Sequence, residues 1–184
     1  MEKIGILASG TGSNAVKLLE HFKESTSAQV AGVFSNNMRS YVLQRFIGLG
    51  SDAYYFSKDE MLLDILEKNK ITFLVLAGYN KLVPENVISA YKGKILNIHP
   101  ALLPKHGGKG MYGIHVHQAV IDAKDKESGI SIHHVTAEYD KGKVIFQKKI
   151  KLKKGETAKS LQESIKELEH KHFPEEVEKL INGL

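Results

Sequence analysis

Thr72-Phe73-Leu74-Val75-Leu76-Ala77 is a near-continuous apolar run, the pattern of a strand buried on both faces. Such a strand belongs inside a sheet covered by helices on both sides, and the flanking sequence supplies them. Upstream, Lys3–Ala8, Gln29–Ser35 and Ala53–Phe56 read as strands. Each is followed by a helix-period segment: Ala15–Glu24, Tyr41–Leu49 (stopped by Gly50) and Asp59–Lys68. Downstream, a helix near Pro84–Tyr91 leads into the strand Lys94–Ile98. This alternation predicts an α/β fold, a doubly wound, mostly parallel sheet of Rossmann-like type.

After Pro104 the texture changes. Lys105–Gly113 carries Gly107, Gly108, Gly110 and Gly113 and reads as a mobile loop, and Val116–Lys124 reads as a helix. The strands Gly129–Thr136 and Val144–Lys153 flank Ala137–Lys143 closely enough to predict an antiparallel hairpin. A terminal helix covers Thr157–Lys171, capped by Thr157, and a second helical piece runs from Pro174 to Ile181. No repeat, low-complexity tract or linker interrupts the chain, so one domain is expected over residues 1–184.

With 184 residues, 42% of them hydrophobic, the chain can bury a sizeable core. No stretch approaches the roughly 18 consecutive apolar residues of a membrane span. Met1-Glu2-Lys3 leads straight into a strand without a signal-peptide layout, so no membrane partner and a cytoplasmic location are expected. The absence of cysteine excludes disulfides, thiolate catalysis and Cys-based zinc sites. A net charge of +5 and a pI near 9.2 point to phosphates, carboxylated cofactors or nucleic acid, or simply to solubility charge.

Asn97-Ile98-His99-Pro100 ends the strand that begins at Lys94. Asn97 and His99 are two apart, so an extended chain sends both side chains to one face, and Pro100 stops the strand. An amide donor for an oxyanion and an imidazole that moves protons near neutral pH suit acyl transfer. Asp140, in the turn Glu138-Tyr139-Asp140-Lys141-Gly142, would reach His99 and raise its pKa. Its other reading is a turn-forming residue before Lys-Gly.

Ser9-Gly10-Thr11-Gly12-Ser13-Asn14 joins the first strand to the first helix, where free N–H groups meet an anion. Gly10-x-Gly12-x-x-Ala15 also satisfies the dinucleotide fingerprint. Ser35-Asn36-Asn37 stands where NAD would want an acid, and Arg39 follows, which disfavours NAD and leaves NADP open. No Walker-type Gly-Lys-Thr/Ser is present. Ser13 and Asn14 favour a terminal phosphate.

Together these motifs identify a resemblance. With Leu76-Ala77-Gly78-Tyr79, Asn97 to Pro104, Ser131-Ile132-His133-His134-Val135-Thr136 and Tyr139-Asp140-Lys141-Gly142, the chain resembles the phosphoribosylglycinamide formyltransferase family, the folate-dependent enzymes of purine synthesis. The Asn-His-Asp set alone reaches only the wider formyltransferases, and the glycine loop narrows it. The resemblance implies formyl transfer from 10-formyltetrahydrofolate, as co-substrate, to the amine of glycinamide ribonucleotide. His99 would be the general acid, Asn97 the oxyanion donor and Asp140 the tuner of His99, with no metal. Gly12, Ser13, Asn14 and Gly78 would hold the phosphate, and Lys166 and Glu169 the ribose and amine. Asn80, Lys81, Leu82 and Val83, with Asn97 and the stretch Thr136, Ala137, Glu138, Tyr139 and Asp140, would hold the pterin. Lys58 would meet the folate glutamate. Ser131 and His133 would support the site. The partners are small molecules only, and the assembly a monomer or homodimer. Relatives of the wider family carry an additional domain, and at this length none is expected here.

In two places the chain departs from the better-known family pattern. Lys105-His106-Gly107-Gly108-Lys109-Gly110-Met111-Tyr112-Gly113 replaces a shorter Lys-Tyr-Pro-Gly, and the C-terminus is short. A formyltransferase for another phosphorylated or nucleotide-sugar amine, and an NADP-binding oxidoreductase, are the alternatives. His115-x-His117, His133-His134 and His170-x-His172 read as structural rather than metal-binding. Lys148-Lys149-Ile150-Lys151-Leu152-Lys153-Lys154 reads as an edge strand blunted by lysines, and without interleaved aromatics it is not read as a nucleic-acid site.

Overall fold

A computed structural model describes residues 1–183. Its strands are β1 (Glu2–Leu7), β2 (Ala28–Ser35), β3 (Ala53–Tyr55), β4 (Phe73–Leu76), β5 (Ile95–His99), β6 (Glu127–His134) and β7 (Val144–Lys151). Its helices are α1 (Ser13–His21), α2 (Tyr41–Gly48), α3 (Met61–Lys68), α4 (Glu85–Ala90), α5 (Ile114–Asp122) and α6 (Ala158–Asn182). The strands form one sheet in the order β3-β2-β1-β4-β5-β6-β7. β1 to β5 pair in parallel, while β6 runs antiparallel to both β5 and β7. The predicted α/β alternation and C-terminal hairpin are both present.

Every residue of β4 is buried, as an unbroken apolar run at the centre of a sheet requires. Phe73 and Val75 face a core shared with α1, α2, α5 and α6. Leu74 and Leu76 face the other core, built with Leu62 and Leu66 of α3 and Val87 of α4. Period-2 alternation thus divides one strand between two layers of helices. At the far edge, Lys148, Lys149 and Lys151 of β7 are exposed, the charged edge read from the sequence.

The C-terminal segment corrects one expectation. The predicted break before Pro174 does not occur, and α6 runs unbroken across it for 25 residues. A proline within a helix forfeits one backbone hydrogen bond and costs about 3 kcal/mol. Here Pro174 is itself buried with Phe173, Val177 and Ile181 on the core face, so packing of that face holds the helix through the missing bond. The predicted Thr157 cap forms: its hydroxyl accepts from Ser160 N at 3.2 Å within a capping box.

Candidate active site

From the β1–β4 pair the parallel strands spread both ways, β2 and β3 to one side and β5 to the other. The loops after β1 and β4 therefore part and open a crevice at the strands' carboxyl ends. A cleft of about 840 Å³ fills it, walled by the glycine loop, residues 76–83, the end of β5, residues 108–113, the turn after β6 and one face of α6.

The glycine loop is shaped by contact. Gly12 has φ of 75°, and a Cβ there would lie 2.1 Å from Cγ2 of Val42 on α2, so only glycine lets the two helices approach. Gly12 also stands at the N-cap of α1 without a side-chain cap, which leaves the first N–H groups for an anion. The loop is braced from β2. Ser9 Oγ donates to Asn36 Oδ1 at 2.7 Å, Asn36 Nδ2 to Asn80 Oδ1 at 3.1 Å, and Asn37 Nδ2 to Ser9 O at 3.4 Å. The asparagines weighed for dinucleotide selection are thus occupied in holding the loop, and Arg39 does not line the cleft.

Asn97 and His99 both reach the cleft, as their spacing predicts. The β5–β6 register sets Asn97 opposite His133 and His99 opposite Ser131. Cross-strand partners share a face, so Asn97 Nδ2 lies 3.0 Å from His133 Nε2. His133 Nδ1 donates to the His134 carbonyl at 2.9 Å, which turns Nε2 toward both the Asn97 amide and Asp140 Oδ1. Ser131 stays outside the cleft and shapes it indirectly. Its Oγ donates to Ala101 O at 2.6 Å and accepts from Leu103 N at 2.9 Å and Gln147 Nε2 at 2.8 Å, fixing the turn after His99.

Asp140 closes the set. With φ of 55° it holds a left-handed conformation rare outside glycine, and such conformations gather at functional sites. Oδ2 lies 3.5 Å from His99 Nδ1 and accepts from Gly108 N at 2.8 Å. Oδ1 lies 3.4 Å from His133 Nε2 and 3.5 Å from Asn97 Nδ2. His99 Nε2 donates to the His106 carbonyl at 2.8 Å.

The net direction of the His99 shift differs from expectation. Burial pushes its pKa down, and this outweighs the upward pull of the Asp140 carboxylate and the His106 carbonyl. The predicted influence of Asp140 is present, but the strand end is only 3% exposed. Burial also pushes Asp140 up, yet its hydrogen bond with His133, the charge of His99 and the Gly108 N–H hold its carboxyl below the ordinary range.

On α6, Glu169 accepts from Asn14 Nδ2 at 2.9 Å. Burial lifts its carboxyl to about 7, against the hydrogen bond from Asn14 and the positive charge of Lys166. Asn14 Oδ1 and the Tyr79 hydroxyl are buried without partners, two polar groups left for a ligand.

Most of the residues singled out from the sequence converge on this cleft; Lys58, Ala137 and Ser131 do not line it. Lys58 is exposed on the turn before α3, while Lys81, which does line the cleft, pairs with neighbouring Asp59 at 3.3 Å. Sequence reasoning missed His117 of α5, which lines the cleft 3% exposed with Nδ1 unpartnered. Burial and the nearby His99 push it down to about 4. The His-x-His spacing marked it, but only the seating of α5 shows that it faces inward. Among the described residues no three His, Asp or Glu side chains group as a metal site, and no helix is long and apolar enough to cross a membrane.

Known proteins share this fold. The formyl transferase profile matches residues 2–177. Phosphoribosylglycinamide formyltransferase of Bacillus subtilis is 29% identical, with 98% of this chain and 95% of that protein covered. The chloroplastic enzyme of that name from Arabidopsis thaliana is 35% identical over 96% of this chain. The chain spans 64% of that protein's length and 61% of its Vigna unguiculata counterpart. Among solved structures, glycinamide ribonucleotide transformylase 1 from Symbiobacterium toebii superposes with a TM-score of 0.91 at 30% identity, covering 100% of this chain and 89% of the other. Phosphoribosylglycinamide formyltransferase from Streptococcus pneumoniae TIGR4 gives 0.85 at 34% identity, covering 98% and 99%.

Proposed function

The chain belongs to the formyl transferase family, and from that premise we propose that it transfers the formyl group of 10-formyltetrahydrofolate to the amine of glycinamide ribonucleotide in purine biosynthesis. One observation carries the reading: a single cleft joins an uncapped helix N-terminus, a carboxyl raised to about 7 and a buried His-Asp-Asn set. These three features match the phosphate, the amine and the reacting carbonyl of such a substrate pair.

Gly12, Ser13 and Asn14 would receive the phosphate through backbone and side-chain donors, with Gly78 alongside. Glu169 and Lys166 would hold the ribose and amine, the cationic amine drawing the Glu169 proton off. Residues 80–83 and 136–140 would hold the folate, whose pterin and glutamate supply the polar and apolar surface that this part of the wall can match. The bound ammonium would first pass one proton to the Glu169 carboxylate to become a nucleophile. Once attached it must lose a second, and the departing folate nitrogen must gain one. A neutral His99, unprotonated at Nδ1, would take up that second proton and deliver it to the folate nitrogen, with Asp140 stabilising the imidazolium between. Asn97 would donate to the oxygen on which charge develops. Lys58 stands apart from the wall, so a role at the glutamate tail would require the tail to extend past Lys81. Such chemistry fits a cytoplasmic enzyme whose partners are small molecules.

The test is formyl transfer followed by absorbance, with Asn14→Asp in parallel. Turnover that the variant loses through a raised KM for glycinamide ribonucleotide supports both the reaction and the phosphate loop. Folate binding without turnover redirects the search to other phosphorylated or nucleotide-sugar amines. Absence of folate binding refutes the reading.

A further inference from the structure

We infer that Asp125 and His106 form a clasp that positions His99, acting through the His106 backbone carbonyl to keep the proton-exchanging nitrogen of His99 on the Asp140 side. The inference rests on the role given to His99 above. His99 Nε2 lies 2.8 Å from His106 O. A carbonyl only accepts, so Nε2 carries the hydrogen, and the neutral ring keeps its lone pair on Nδ1, 3.5 Å from Asp140 Oδ2. The tautomer of His99 is therefore set by one backbone oxygen in a glycine-rich loop.

That oxygen is held in place from behind. His106 has φ of 53°, a left-handed conformation that is unfavourable for a residue with a side chain. Its own ring restrains it, with Nε2 2.8 Å from Asp125 Oδ2. The other Asp125 oxygen accepts from Lys105 Nζ at 3.1 Å, so one carboxylate grips two consecutive residues of the loop. Asp125 is in turn tied to α5, its N–H donating to Val120 O at 3.3 Å. Neither Asp125 nor any contact it makes belongs to the cleft wall.

The clasp also reaches the second member of the pair. Two residues beyond His106, Gly108 N donates to Asp140 Oδ2 at 2.8 Å. Between them, a Cβ on Gly107 would fall 2.5 Å from Leu103 Cδ2 and 3.2 Å from Asp140 Cβ, so the segment is pressed against Asp140. Movement of residues 106–108 would displace the acceptor of His99 and the donor to Asp140 together. Outer partners of this kind, which fix a histidine's tautomer and ring orientation, typically change function 10–100-fold when removed from metal sites. The same geometric argument applies to a proton-transferring ring.

The experiment compares wild type, Asp125→Asn and His106→Asn, the last chosen because Asn tolerates the left-handed backbone. Long-range proton–nitrogen NMR of ¹⁵N-imidazole-labelled protein reads the His99 tautomer, and steady-state kinetics read kcat and KM. Wild type should show His99 protonated at Nε2. Both variants should mix the tautomers and lower kcat roughly 10-fold, with both KM values within about twofold. The inference is overturned if His99 keeps the Nε2–H form in both variants, or if kcat falls while the His99 resonances stay as in wild type. It is equally overturned by a wild-type ring protonated at Nδ1. The NMR arm reads His99 without substrate, so failure of the proposed reaction and failure of the clasp give different results.

Discussion

Replacing Glu169 with Gln should make the ligand-free protein more stable at neutral pH and leave it unchanged in acid. The unfolded carboxyl titrates near its ordinary value of 4.5, whereas in the fold it titrates at about 7. Between those values the native state holds a proton that the unfolded state has released, so stability falls as pH rises and is fully present only below 4.5. The whole shift corresponds to about 3 kcal/mol, lost at about 1.4 kcal/mol per pH unit. Glutamine mimics the protonated acid and still accepts from Asn14 Nδ2, so the variant escapes this loss. Thermal unfolding of both proteins without ligand, from pH 4.5 to 8, checks it. The curves should coincide near pH 4.5, part steadily, and run parallel above pH 7 with a gap of about 6–12 °C. A gap that does not change with pH would refute the reasoning, since it would assign the difference to packing and not to the proton. Within the proposed reaction the same carboxyl is poised for a cationic amine, so the stabilised variant should bind glycinamide ribonucleotide less tightly.

His99→Ala should lower formyl transfer by about 10²–10⁴-fold while the KM for glycinamide ribonucleotide stays near wild type, read from steady-state kinetics. Gly12→Ala puts a methyl group 2.1 Å from Val42 Cγ2 at a φ of 75°. Denaturant unfolding should show a loss of at least about 2 kcal/mol, combining backbone strain and overpacking. Ser131→Ala removes the hydroxyl shared by Ala101 O, Leu103 N and Gln147 Nε2. It should lower the urea midpoint by the equivalent of about 1–3 kcal/mol with an unchanged slope.

The parts of this molecule legible in the sequence are those that a local pattern determines. Phe73 to Leu76 declared a central strand because burial on both faces leaves no polar alternation, and the two-residue spacing of Asn97 and His99 was enough to place them together. Pro174 misled because the local rule is true but outweighed: Phe173, Val177 and Ile181 bury the same helix face on either side of it. The Asp140–His99 approach followed from motif order, whereas the sign of the His99 shift did not. Charge pairing is visible in a sequence, but desolvation belongs to the packed strand end. The asparagines after β2 show the same limit. Their type suggested ligand selection, and only the hydrogen bonds reveal that they brace the glycine loop. His106 marks the furthest limit, because its contact with His99 is made by a carbonyl oxygen that every residue carries. Side-chain chemistry could never have singled it out. What makes that carbonyl specific is the left-handed backbone at His106 and the carboxylate that holds it there, and both arise from how the loop lies against α5.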